Sequence, residues 1–508
     1  MIFLTADKWC MRSEPLVFTC AVELSFPSTE DKRADLLRLR DALRDIGISP
    51  VDIPLPVAVR LPGELRKNGF SVSLVVGRES GRFRILDISS GPVYGIALDI
   101  GTTTIECELF ELGTGKRAGS YSISNPQVSS GADVLSRIHL SMSGQGGMLA
   151  DALRSGLNCL IAAVCVENEI SASNVYAVTV AGNTVMSHFF LGLDVSNIPV
   201  TPNIPVLSEA VFCRASDVGL CIFPDAVVYL FPNAGSYVGG DIISGMLCME
   251  MHKKDTPVLF MDVGTNVEVT LGCRDWIMVG AGAAGPALEG GVADIGRKAE
   301  KGTISSVSFD ADTEWPVFSV IGNTEPSGIC GSGLIDLVSM LYEIGIIDQA
   351  GRFDPNRSGV VMRDGEPAYM LHSGGQKELV LKERELQNFL RSKAAMFAFL
   401  YVFLRSVGMR IQDIEKVYVS GALGCGINIE SAVKIGMLPD IQRDRIVPVG
   451  NSSLKGAVML LNDSSLIQTV DHLASLITYR EMAEDPDLLN ILQGAMFIPH
   501  TDPEMLKG

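Results

Sequence analysis

Val93-Tyr94-Gly95-Ile96-Ala97-Leu98-Asp99-Ile100-Gly101-Thr102-Thr103-Thr104 is an apolar run that breaks into an acid, a glycine and three hydroxyl residues. It reads as a strand feeding a phosphate loop. Gly101 lets the backbone turn tightly, the hydroxyl and N–H groups of Gly101, Thr102, Thr103 and Thr104 are donors at phosphate spacing, and Asp99 can hold a hydrated Mg2+. The same order recurs in Val258-Leu259-Phe260-Met261-Asp262-Val263-Gly264-Thr265-Asn266, with the strand-like Val267-Glu268-Val269-Thr270-Leu271 after it. One Asp-x-Gly-Thr carries little, because these are ordinary turn residues and most such tetrapeptides are plain hairpins. Two of them, each after a buried-strand run, favour paired phosphate loops over two structural hairpins.

A second pair of motifs lies further along each half. Val175-Tyr176-Ala177-Val178-Thr179-Val180 runs into Ala181-Gly182-Asn183-Thr184 and a helix bearing Met186, Phe189 and Phe190. Its counterpart is Val417-Tyr418-Val419-Ser420-Gly421-Ala422-Leu423-Gly424. An early hairpin and a late strand-glycine-helix in each half is what duplication of one α/β unit produces. Two facing lobes with a cleft between them are predicted. The segment from Tyr229 to Glu250, where Gly239-Gly240-Asp241 opens an amphipathic helix, links the halves.

Residues 1–92 read as a small α+β unit of their own. Val17 to Leu24 is a strand, Ser28 is predicted to cap a helix with Leu36, Leu37, Leu39, Leu43 and Ile46 on its apolar side, and strands follow at Ser71–Val76 and Arg82–Ile88. The partition is 1–92, a first lobe 93–255, a second lobe 256–465 and an amphipathic helical tail 466–508. At 508 residues with 47% apolar side chains, the chain exceeds what one core of ~250–300 residues holds.

Charge and cysteine usage narrow the function. With 41 basic against 59 acidic residues the net charge is -18, and no basic patch intervenes, which excludes nucleic acid as a partner. The longest uninterrupted apolar run, Ala394 to Leu404, is short of the ~20 residues that span a bilayer, and the N-terminus lacks a secretory layout; a cytoplasmic protein without membrane partners is expected. The 11 cysteines include no Cys-x-x-Cys, so no iron–sulfur, zinc or disulfide framework is expected.

Other motifs have plainer readings. Gly280-Ala281-Gly282-Ala283-Ala284-Gly285 fits G-x-G-x-x-G, but Pro286 follows and no acid lies ~20 residues on, so it is read as a close-packing turn presenting Glu289. His188, among Met186, Phe189 and Phe190, is read as a satisfied core histidine. Cys330 and Cys425 are read as small packing residues.

Taken together, the chain resembles the acetate and sugar kinase, heat-shock chaperone and actin superfamily. Within it, Asn125-Pro126-Gln127, Gly131-Ala132-Asp133-Val134, Ala181-Gly182-Asn183-Thr184, Ser236 to Asp241, Ala284 to Gly290 and Gly328 to Gly333 resemble, in order, the ATP-dependent reductive activators of corrinoid proteins. The resemblance implies a duplicated, actin-like (ribonuclease H-like) two-lobe ATPase behind the small N-terminal α+β domain. It implies ATP and Mg2+ as cofactors, with Gly101 to Thr104 and Gly264, Thr265 and Asn266 on the phosphates and Asp99 and Asp262 acting through metal-bound water. Gly421, Ala422 and Gly424 match the superfamily's adenosine loop, although the family carries a second glycine where Ser420 stands and an aromatic at Leu423. Gly331, Ser332, Gly450 and Asn451 are assigned to the same cleft, beside the reading that each is only a turn or helix start. Gly421 is predicted to act on the purine without touching either phosphate loop.

The activity so implied is ATP hydrolysis that supports reduction of Co(II) to Co(I) in a corrinoid methyl-carrier protein. The family's iron–sulfur domain is not found before Glu14, where the resemblance begins, so a separate ferredoxin or reductase is expected to supply the electron. The resemblance allows a homodimer. Two rivals are a non-reducing nucleotide-dependent binding protein for a corrinoid protein or methyltransferase, and a small-molecule kinase of the same fold.

Overall fold

The computed structural model describes residues 14–236, 238–264, 266–283, 291–310, 315–374, 378–424, 426–480 and 487–506. The chain forms two compact units, 1–248 with 453–475 and 249–452 with 476–508.

The first unit opens with β1 (Val17–Glu23), α1 (Asp35–Asp45), β2 (Val51–Asp52), α2 (Leu55–Lys67), β3 (Ser71–Glu79) and β4 (Arg82–Ile88), whose sheet order is β1-β3-β4-β2. Leu39, Leu43, Leu61, Leu65, Leu74 and Ile85 form its core. The predicted cap is not there. Ser28 Oγ accepts from the N–H groups of Glu30 and Asp31 in a turn, and α1 starts seven residues later without a side-chain cap. The reason is Arg38, which turns inward to donate to Asp31 Oδ2 at 2.6 Å and to the Ser25 carbonyl. That rotation buries Leu39 and Leu43 but leaves Leu36 and Leu37 outside.

The main sheet of this unit is built from β5 (Tyr94–Ile100), β6 (Thr104–Glu111), β7 (Lys116–Ser124), β8 (Val175–Gly182), β9 (Val211–Arg214) and β10 (Val227–Leu230), in the order β7-β6-β5-β8-β10-β9. β5, β8 and β10 run parallel, and all eight residues of β8 are buried, which is why this strand reads as an unbroken apolar run. Helices α3 (Val134–Leu140) and α4 (Gly146–Glu167) precede β8; α5 (Thr184–Leu191) follows it, and α6 (Gly240–Cys248) closes the segment. The α3–α4 stretch is apolar over the length of a membrane span, yet Leu149, Leu153, Leu157, Leu160 and Val164 face the core of the unit.

Two further segments belong to the first unit. The small N-terminal sheet joins the first unit, held by the paired Arg214 guanidinium and Glu79 carboxylate and by the Tyr176 hydroxyl on Asp87 at 3.0 Å. Residues 453–475 also return to this unit. Thr179 Oγ1 donates to the Ala457 carbonyl at 2.9 Å, Ser244 Oγ donates to the Ser453 carbonyl at 2.6 Å, and a β-carbon on Gly456 would stand 2.0 Å from the Ser244 carbonyl oxygen. Only a glycine lets the helix Ser452–Asn462 approach α6 so closely.

The second unit repeats the plan. β11 (Val258–Val263), β12 (Asn266–Cys273) and β13 (Trp276–Ala283) form a meander; after it come β14 (Thr303–Asp310), β15 (Trp315–Val320), β16 (Gly328–Ile329), α7 (Gly331–Glu343), β17 (Val360–Arg363), β18 (Glu366–His372), β19 (Leu379–Lys382), α8 (Glu383–Ser406), β20 (Val417–Ser420), α9 (Gly421–Gly424), α10 (Ile429–Lys434), β21 (Ile446–Gly450) and β22 (Ile477–Tyr479). The main sheet runs β21-β20-β11-β12-β13-β22. β11 lies between antiparallel β12 and parallel β20, as β5 lies between antiparallel β6 and parallel β8. The duplicated α/β plan expected of an actin-like fold is therefore present.

The tail is not wholly helical, since β22 pairs parallel with β13, Ile277 opposite Ile477. Beyond it the helix Leu488–Ala495 packs on α8, where the buried Lys393 ammonium donates to the carbonyls of Ala495, Phe497 and Pro499 at 2.7, 2.6 and 2.6 Å. The glycine-rich run at 280 is strand as far as Ala283, not a turn; β-carbons on Gly280 and Gly282 would meet Phe399 and Phe403 of α8. Ala284 to Gly290, with Glu289, lie outside the described residues.

Candidate functional site

In the first unit the loop of residues 101–103 leaves β5 and is tied down from behind. The Gly101 carbonyl accepts from Asn125 Nδ2 at 2.9 Å, the Thr102 carbonyl from Arg137 Nη2 at 2.6 Å, and the Thr103 carbonyl from the Asn125 N–H at 2.9 Å. A trans peptide sets its C=O and N–H on opposite sides. Anchoring the carbonyls of Gly101 and Thr102 therefore turns the N–H groups of Thr102 and Thr103 the other way, an arrangement able to donate to an anion. Gly101 is required, because a β-carbon there would stand 2.6 Å from the Thr104 carbonyl oxygen.

The neighbouring parallel strand adds to this loop. Asn183, just past β8, accepts from the Met186 N–H as the cap of α5 and donates through Nδ2 to Thr102 Oγ1 at 3.0 Å. A β-carbon on Gly182 would crowd the Ile100 carbonyl oxygen and one on Gly239 would meet the Asn183 backbone, so these glycines draw the ends of β5, β8 and α6 together. Asp99, near the end of β5, accepts from Ser453 Oγ at 2.8 Å. Past β10, the side chain of the buried Asn233 has neither its amide nitrogen nor its oxygen paired among the described residues, a polar group whose burial costs free energy until something meets it. The C-terminal ends of adjacent parallel strands thus gather an acid, a hydroxyl and two amides, the position at which open α/β sheets bind ligands.

In the second unit Asp262 lies near the end of β11, and the Gly264 N–H closes the hairpin on the Asn266 carbonyl at 2.9 Å. Thr265 lies outside the described residues. Gly421 follows β20 with a left-handed φ of 71°, and its missing side chain faces the acid rather than open space: a β-carbon would stand 2.5 Å from both Asp262 Oδ1 and the Val263 carbonyl oxygen. The expectation that Gly421 acts apart from both phosphate loops is thereby corrected, because the parallel pairing of β11 with β20 brings it against one of them.

The structure groups the predicted glycine loops of this unit. Ser420, where the resemblance leads one to expect glycine, is buried and bonds the Gly450 carbonyl at 2.9 Å and the Ser452 hydroxyl at 2.7 Å, which joins the loops at 421–424 and 450–452. Gly424 is flush with the Val419 carbonyl and the Gly450 N–H. The side chains of Ala422 and Leu423, and Cys425, lie outside what is described; Asn451 follows Gly450 in the joined loop. Gly331 and Ser332 open α7, which packs against α9, while Ser332 Oγ donates to the Ser305 carbonyl at 2.9 Å and approaches Cys330 Sγ at 3.2 Å.

Three groups escape sequence reasoning. Arg137 is fully buried, whereas an arginine on a short helix reads as solvent-facing. Ser453 meets Asp99 across 354 positions of sequence. Asn233 sits in an unremarkable loop, and only its place after a buried strand hinted at a site. His188 is as expected: Nδ1 bonds the Thr184 carbonyl at 2.6 Å and Nε2 accepts from the N–H groups of Val206 and Leu207, while burial pushes its pKa below the usual value against the opposing pull of the Thr184 carbonyl.

Comparison with known proteins accounts for the whole layout. Residues 256–507 match the family described as the C-terminal domain of RACo, the ASKHA domain; residues 94–254 match the RACo middle region and residues 7–93 the RACo linker region. A solved structure of a reductive activator for corrinoid, iron–sulfur protein superposes with a TM-score of 0.92 at 35% identity, over 98% of this chain and 81% of its own. The corrinoid activation enzyme RamQ of Eubacterium limosum is 29% identical over 411 residues, 78% of this chain and 68% of the relative. A reductase of the Co(II) methylated amine-specific corrinoid protein from Methanosarcina barkeri is 25% identical over 415 residues, 76% and 73% of the two chains.

Proposed function

The chain belongs to the family of reductive activators of corrinoid proteins, and on that premise we propose that it is an ATP-hydrolysing activator of a corrinoid protein, supporting reduction of Co(II) to Co(I). The observation that carries the nucleotide part is the repeated geometry: in each unit an acid stands near the end of the strand flanked by one antiparallel and one parallel neighbour, ahead of a loop closed by glycine. Gly101, Thr102, Thr103 and Thr104 in one unit, and Gly264, Thr265 and Asn266 in the other, are the proposed phosphate-binding residues. Gly424, Gly331, Ser332, Gly450, Asn451 and Ala422 are proposed for the adenosine, with Gly421 bridging the two roles through its contact with Asp262.

The donor set fits a hydrated Mg2+, because each loop offers a single carboxylate and this ion keeps much of its water. Asp99 in the loop of the first unit and Asp262 in that of the second are each proposed as a carboxylate able to hold such an ion, which would neutralise charge on the transferring phosphoryl group. What the chain's own residues do is position: Ser453 orients Asp99, Asn183 orients the Thr102 hydroxyl, and the anchored carbonyls of Gly101 and Thr102 aim the amides that follow them.

The partner is a corrinoid protein and the electron donor a separate ferredoxin or reductase, a reading supported by the lack of any Cys-x-x-Cys among the 11 cysteines. A cytoplasmic location agrees with the same cysteine usage. The test is magnesium-dependent ATP hydrolysis by the purified chain with and without a Co(II) corrinoid protein, together with its iron content. Hydrolysis that the partner stimulates supports the reading; stoichiometric iron in the purified chain would overturn the assignment of a separate donor.

A further inference from the structure

Arg137 is a buried cation with neutral partners. Nε donates to the Gly131 carbonyl at 2.9 Å, Nη1 to Gln127 Oε1 at 3.0 Å with Met186 Sδ at 3.6 Å, and Nη2 to the Thr102 carbonyl at 2.6 Å. No carboxylate among the described residues pairs with it. Asp133 is near enough to be felt, but its carboxylate accepts from the Ser136 N–H at the start of α3. Burial brings the guanidinium down to about 10, so it stays protonated at neutral pH.

Burying a charge without a counter-charge is costly, and proteins ordinarily pair such groups. The contrast within this chain is informative. Arg38 is equally buried but meets Asp31 at 2.6 Å. Lys393 also pairs with no carboxylate among the described residues, yet its three carbonyl acceptors match the three donors of an ammonium and anchor the C-terminal segment. Arg137 instead makes its shortest bond to the loop whose amides face away from it, and Gln127, which it also holds, is itself fixed by Nε2 on the Leu149 carbonyl at 3.0 Å.

We infer that Arg137 is the resident cation of the first phosphate loop: it holds Thr102 in the anion-accepting form, and the nucleotide's phosphates supply the negative charge that its surroundings lack. It is a positioning residue, acting through the Thr102 peptide and through its charge. The inference rests on the nucleotide reading given above and extends it to a residue outside the loop.

The test uses the full chain with Arg137→Met and Arg137→Lys, measuring thermal unfolding of the free protein, affinity for magnesium ATP, and the rise in Tm on adding inorganic pyrophosphate against chloride at equal ionic strength. Arg137→Met removes a buried charge but leaves the Gly131 and Thr102 carbonyls and Gln127 Oε1 without their donor, so the free protein is expected to unfold at a lower temperature than the wild type while still folding. Its ATP affinity should fall about ten- to a hundredfold, the loss of one charge-assisted interaction, and the pyrophosphate response should vanish. Arg137→Lys should recover most of both. A folded Arg137→Met protein that binds ATP like the wild type would overturn the inference while leaving the nucleotide reading intact. A wild-type protein that binds no ATP would overturn both. Should Arg137→Met fail to fold, absence of a pyrophosphate response in the wild type, or an equal loss of ATP affinity in Arg137→Lys, would overturn it just as directly.

Discussion

The Asp262 carboxylate stands 2.5 Å from the point that a β-carbon on Gly421 would occupy. The end of β11 and the turn after β20 are therefore one surface, and a side chain at 421 displaces the acid before it meets any ligand. Gly421→Val is expected to cost about 1–3 kcal/mol from the left-handed backbone alone, and to lower ATP hydrolysis at least about tenfold through the displaced carboxylate. Denaturant unfolding and steady-state hydrolysis measured on the same sample check this; unchanged turnover would show that Asp262 can move without consequence.

Asp99→Ala and Asp262→Ala are each expected to leave a folded protein, with stability changed by under about 2 kcal/mol, because both acids sit at loop edges rather than in a core. Hydrolysis should fall about a hundredfold or more as the electrostatic support for the phosphoryl group is lost. Ser453→Ala keeps the acid and loses its orientation, so a loss of about three- to tenfold is expected. Full activity in both aspartate variants would remove the site assignment.

Acidification should weaken the first unit through His188. Its folded pKa lies below the unfolded value, first because burial disfavours the charged ring. The unfolded chain then binds more protons at mildly acid pH, so the stability His188 contributes is full above its unfolded pKa of ~6.5 and is lost as pH falls through the folded value. Thermal unfolding from pH 7.5 down to 5 should show a decline that is reduced in His188→Gln. An unaltered pH profile in that variant would assign the decline to other groups.

Lys393→Met leaves the carbonyls of Ala495, Phe497 and Pro499 buried without their donor. A destabilisation of about 3 kcal/mol or more is expected, and limited proteolysis should release the C-terminal segment first. Wild-type resistance to protease would show that this ammonium does not anchor the tail.

Much of the architecture is legible in the sequence for a simple reason. β5, β8, β11 and β20 are buried parallel strands, so each is a continuous apolar run, and the residues that end them, Asp99-Ile100-Gly101 and Asp262-Val263-Gly264 among them, stand out against it. What is not legible depends on contacts distant in sequence or on charges placed inside. Ser453 reaches Asp99 because residues 453–475 return to the first unit, which no local pattern announces. Arg38 and Arg137 occupy interior positions that periodicity assigns to apolar residues or to solvent, and Arg38 misplaces the predicted start of α1. β22, three residues long, is made a strand by its pairing with β13 rather than by its composition.

ATP turnover in this chain is proposed to be coupled to the cobalt of a partner. The direct measurement follows the Co(II) spectroscopic signal of a corrinoid protein in the presence of a low-potential electron donor, magnesium ATP and this chain, with phosphate release recorded in parallel. The expected result is that the Co(II) signal is lost only when all components are present, that phosphate release is faster with the Co(II) protein than without it, and that Asp99→Ala and Asp262→Ala abolish both. A Co(II) signal that persists, with phosphate release indifferent to the partner, would contradict the account.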